Sequence, residues 1–71
     1  MTTEEELELT AEIVRLNEVA ETLRDIAADL EGDAKHSTKH WAEFDYIATK
    51  IAHIAGKCDV LRETFEKEEA E

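Results

Sequence analysis

Apolar residues in the first half of the chain recur in alternating steps of four and three: Leu9, Ile13, Leu16, Ala20, Leu23, Ala27 and Leu30. That spacing keeps one face of a helix apolar, and Val19 and Ile26 widen it. The same steps return at Trp41, Phe44, Ala48, Ile51, Ala55 and Cys58, then at Phe65, flanked by Ile47, Ile54 and Leu61. Two amphipathic helices are predicted, over about 4–31 and about 38–68, joined by a turn at about 32–37.

Local signals agree with these elements. Thr3-x-x-Glu6 has the form of a capping box, and Glu4, Glu5 and Glu6 lie at the positive end of the helix dipole. Gly32 follows the last apolar residue, where a left-handed glycine would end helix one. Asp33, Ser37 and Thr38 are each suited to cap helix two. Gly56 weakens the middle of that helix by about 1 kcal/mol relative to alanine. The apolar spacing runs on in register across it, so one helix is expected rather than two.

With only these two glycines and no proline, the chain has few places to change direction. The expected fold is all-α: residues 1–71 as a single antiparallel hairpin of two long helices. Partners across the seam are expected to sum to roughly 64. That places Ala20 beside Phe44, Leu23 and Ala27 beside Trp41, Leu16 beside Ala48, Ile13 beside Ile51, and Leu9 beside Ala55. Large faces small at most levels, as interdigitating layers require. Phe65 overhangs in this register.

Each helix carries more apolar face than one neighbour can cover, and a chain this short sits near the lower limit for folding alone. Val19, Ile26, Ile47, Ile54, Leu61 and Phe65 lie to the side of the seam and are the expected oligomer interface. Two hairpins would then dimerise into a four-helix bundle. Cys58 is the only cysteine, so no internal disulfide compensates for small size, and a reducing compartment is favoured. In length and expected architecture the chain resembles the repressor-of-primer type, which implies a dimeric four-helix bundle that binds paired RNA loops. The resemblance covers no residue motif, and helix one here is far more acidic.

Charge changes the picture most. The net charge is −11, and it is uneven: residues 1–33 hold 11 acidic and 2 basic side chains, whereas residues 34–62 hold 3 acidic and 5 basic. An antiparallel hairpin gathers the glutamates of both termini at one end and puts Lys35, His36, Lys39 and His40 at the turn. Glu4, Glu8, Glu18, Asp25 and Asp29 form an outer acidic stripe on helix one, interrupted by Arg15. Such a stripe is either a solvated face or a surface shaped for a basic groove on a partner protein. The second use would make the protein an inhibitor or adaptor, in the manner of acidic phage proteins that block host defence or DNA-binding enzymes. A third use is internal: pairing hairpins head to tail would set an acidic end against the turn of a neighbour.

The alternative binding face is Lys39, Tyr46, Lys50, His53 and Lys57 on the outer side of helix two, where an exposed tyrosine among bases could stack on a nucleobase. Nucleic acid is otherwise not an expected partner, because the rest of the molecule repels phosphate. His36, His40 and Glu43 have a helical spacing but fall short of a converging ligand set, so no metal is expected. Cys58 lies between Ile54 and Leu61 with no activating neighbour and is expected to act as a small hydrophobe. No paired carboxylates are placed in a cleft that would tune them for acid–base work. No enzyme activity and no cofactor are therefore expected. No apolar run approaches the roughly 20 residues needed to span a bilayer, and the start lacks the basic opening of a secretory leader. The cytoplasm is the expected compartment.

Overall fold

The computed structural model describes residues 3–71 as two antiparallel helices, α1 (Glu4–His36) and α2 (Trp41–Ala70), with no strand among them. The Thr3 hydroxyl accepts from the Glu6 backbone N–H at 3.2 Å and caps α1. Three glutamates follow in the first turn, and Lys35 and His36 occupy the last, each sign set against the opposite end of the dipole.

α1 does not end at Gly32. It continues four residues further, to His36, and neither glycine has a positive φ. The residues after Gly32 explain why: Asp33, Ala34, Lys35 and His36 are all compatible with a helix, so a single glycine costs too little to stop it. The link is residues 37–40, and α2 starts at Trp41 rather than at 38. None of the three candidate residues caps α2: His40 holds the N-cap position without a side-chain cap bond, and Ser37 Oγ accepts from the His40 N–H at 2.9 Å within the link. The Ser37 N–H meanwhile closes the end of α1 on the Asp33 carbonyl at 3.0 Å. α2 passes through Gly56 without a break, as its apolar spacing implied.

Moving the link moves the register. Thr10 bonds Glu69 across the helices, Arg24 bonds Asp59, and Ile13 and Asn17 share a shallow surface with Arg62 and Glu66. Partners therefore sum to about 78 rather than 64, a displacement of two heptads. The expected pairs, Ala20 with Phe44 among them, are replaced by Ala20 with Cys58, Leu23 with Ala55, Ala27 with Ile51, Leu30 with Ala48, and Ala34 with Phe44. Large still faces small at each of these levels except that of Ala20 and Cys58, where both are small. Phe65 does not overhang; it falls level with Ile13 and borders a groove with Ala11, Glu12 and Leu16.

This seam covers little. Among the described residues the buried ones are Ala20, Ala27, Ala48 and Ala55, the last two with no exposure at all, and no large side chain is fully buried. Leu16, Leu23, Leu30, Phe44, Ile51, Cys58 and Phe65 stand beside the alanines only half-buried. The hairpin is a rod of 58 × 14 × 12 Å with a radius of gyration of 16.3 Å. A compact chain of this length would have a radius near 11 Å.

Candidate interaction surfaces

The two long sides of the rod differ in chemistry, because residues seven apart share a lane on a helix and antiparallel helices bring matching lanes together. One side carries Thr10, Asn17, Arg24 and Glu31 from α1 with Asp45, Ala52, Asp59 and Glu66 from α2. It is held by ion pairs. Arg24 donates to Asp59, Arg62 donates to Glu66 at 2.6 Å and lies 4.0 Å from Asp59, and Thr10 donates to Glu69 at 2.6 Å. The Arg62 Nε is buried and finds no partner among the described residues.

Arg24's hydrogen bond and its charge hold the Asp59 carboxyl below the ordinary carboxylate range, against a smaller desolvation effect in the opposite direction. The linkage has a definite sign. A lowered folded value stabilises above the unfolded value of about 3.9, and the contribution disappears as pH falls through the folded value. Arg24→Ala is therefore expected to melt below the parent at neutral pH, by a small amount because both groups are solvated. The difference should close below about pH 4. Thermal melts of the two proteins from pH 7 to pH 2 would check this, and a gap that persists at pH 2 would assign Arg24 a packing role instead.

The opposite side is apolar. By heptad spacing Val19 and Ile26 from α1 share this side with Ile47, Ile54 and Leu61 from α2, outside the half-buried leucines and phenylalanines of the seam. Ile26, Ile47, Ile54 and Leu61 are exposed, Ile54 by 50%, while Val19 and Phe65 are half-buried. By heptad spacing, five of the six residues expected at an oligomer interface fall on the lanes of this side, and Phe65 falls on the seam lane beside them. Leu7, Val14 and Val60 are also exposed, but they lie on outward lanes away from it.

The stripe of Glu4, Glu8, Glu18, Asp25 and Asp29 is exposed on the outside of α1. Among the described residues no cation lies within 4.0 Å of any of the five. Lys39 lies in the link rather than on helix two as expected; Tyr46, Lys50, His53 and Lys57 are on α2, all five are exposed, and the Lys50 ammonium sits 5.4 Å from the centre of the Tyr46 ring. His36 and His40 do not share a helix, since one ends α1 and the other precedes α2. His40 instead approaches Glu43 at 3.7 Å. No group of three or more His, Cys, Asp or Glu among the described residues could hold a metal ion. No helix among them is long and apolar enough to cross a membrane.

The turn is not a cationic end. Dividing the rod by level, residues 3–14 and 64–71 carry 9 acidic and 1 basic side chain, and the turn end, 27–51, carries 5 acidic and 3 basic. Glu31, Asp33, Glu43 and Asp45 offset Lys35, Lys39 and Lys50, so the two ends carry −8 and −2. The longer α1 keeps Glu31 and Asp33 at the level of the turn, where Glu43 and Asp45 of α2 join them. Compared with protein-family models, curated proteins and solved structures, the chain matches none of them.

Proposed function

We propose that this chain is a protein–protein interaction module with no chemistry of its own. Two hairpins cover each other's apolar side as a homodimeric four-helix bundle, which presents the acidic outer stripe of α1 to a basic surface on a partner protein. The bundle would act as an inhibitor or adaptor by occupying that surface. The observation that carries the reading is the surface inventory. The hairpin exposes 5617 Å², whereas a compact monomer of its 8.1 kDa would expose about 4,500 Å². The excess is of the order that each partner of a stable dimer buries, about 800 Å². With the apolar side covered, the largest remaining feature is an acidic stripe without neighbouring cations.

Salt separates the two contacts by sign. Self-association brings together chains of −11 and should strengthen as salt screens them. Binding to a basic partner should weaken under the same change. The triple change Glu18→Lys, Asp25→Lys and Asp29→Lys is expected to abolish capture of a basic partner from lysate while leaving helicity and dimer mass intact. Unchanged capture would reduce the stripe to a solvated face. A second reading uses the exposed Tyr46, with Lys50 against its ring, as a platform for a nucleobase or small ligand. Gel shifts with RNA and DNA at low salt decide between the two: a shift abolished by Tyr46→Ala and Lys57→Glu supports the second reading, and no shift removes it.

A further inference from the structure

We infer that the second copy docks on the apolar side head to tail, with the turn of each hairpin against the terminal end of its neighbour. This rests on the dimeric reading above and adds its geometry. Two stackings bury the same residues. In one the turns coincide; in the other they lie at opposite ends. Apolar contact does not choose between them, because Val19, Ile26, Ile47, Ile54 and Leu61 are spread about the middle of the rod. The ends differ instead. Coincident turns set −8 against −8 at one end and −2 against −2 at the other, whereas head-to-tail stacking sets −8 against −2 at both. The repulsion summed over both ends is about halved. The benefit lies in keeping the two glutamate-rich ends apart and requires no cationic turn.

The polar side takes no part in this contact. Its arginines are already engaged by Asp59 and Glu66 within one hairpin, so stacking on that side would desolvate ion pairs without covering apolar surface. Only the Ile- and Leu-bearing side is left for the neighbour.

The test is a distance. Thr38 lies in the link, and a spin label there on the full-length Thr38→Cys, Cys58→Ala protein reports where the partner's turn is. At 1.5 Å per residue, head-to-tail stacking separates the labels by roughly 50 Å, and coincident turns bring them within about 20 Å. Glu71→Cys in the same Cys58→Ala background samples the other end and should also read long, which covers the event that a label in the link disturbs folding. A long distance at both ends, in a protein of dimer mass, is the expected result. A short distance with dimer mass would overturn the orientation and leave the bundle standing. Monomer mass with no dipolar coupling would overturn the bundle itself, and with it the orientation.

Discussion

Ile54→Glu is expected to leave a chain of monomer mass at concentrations where the parent is a dimer. In a single hairpin the change is mild, because Ile54 is 50% exposed and a glutamate there can reach water. In a bundle the same position lies between four helices. A carboxylate buried there without a partner costs on the order of 3–5 kcal/mol per site. A homodimer buries two such sites, so at 1.4 kcal/mol per tenfold dimerisation weakens by roughly four to seven orders of magnitude. Sedimentation equilibrium would read the mass, and melts at several protein concentrations would read the coupling. The parent's melting temperature should rise with concentration, as for any fold stabilised by a second copy. The variant's should be lower and independent of concentration. Val60→Glu is the control, since Val60, 64% exposed, is also accessible but lies on an outward lane of α2. It should leave mass and melting unchanged. Should Ile54→Glu remain dimeric, the apolar side is not the interface, and the functional reading built on it fails as well.

What the sequence disclosed and what it withheld follow from one periodicity. Steps of four and three identify which side of each helix is apolar, so Ala20, Ala27, Ala48 and Ala55 were legible as seam positions and Ile26, Ile47 and Ile54 as positions beside it. In the structure the four alanines are buried and the three isoleucines exposed. The same periodicity is silent about register, because sliding one helix by a whole heptad returns every residue to an equivalent lane. Large-against-small matching offered no warning: Ala48 meets a leucine in either register, Leu16 in one and Leu30 in the other. Register is decided by where the turn lies, and that rested on Gly32, whose preference for a helix end is worth only about 1 kcal/mol. Four helix-compatible residues after it outweighed the signal. The candidate surfaces suffered less from the error. A two-heptad slip preserves every lane, so the acidic stripe and the apolar side survive it. Only the level-by-level distribution of charge along the rod changed.

The corrected register leads to the second large effect. Ala48→Leu is expected to destabilise the fold by about 1–3 kcal/mol, the usual cost of forcing extra carbons into a closed position. Ala48 has no exposure and the register of about 78 sets it level with Leu30, so a second leucine at that level must push the helices apart or leave its rotamer. For a chain of this size each kcal/mol is worth about 4–8 °C, so the melt should fall well outside experimental error at fixed protein concentration. Overpacking alone would not establish who the neighbour is. Compensation would. Leu30→Ala opens a cavity by itself and is also expected to destabilise, but combined with Ala48→Leu it exchanges large for small within one layer and should recover much of both losses. Leu16→Ala, the partner in a register two heptads away, should simply add its cost to that of Ala48→Leu, because residues that do not touch do not couple. Recovery with Leu16→Ala instead of Leu30→Ala would restore the shorter α1 and the turn at Gly32. It would also move the −8 end relative to the rest of the rod, so a melting experiment on four variants bears directly on how the charges of two stacked hairpins meet.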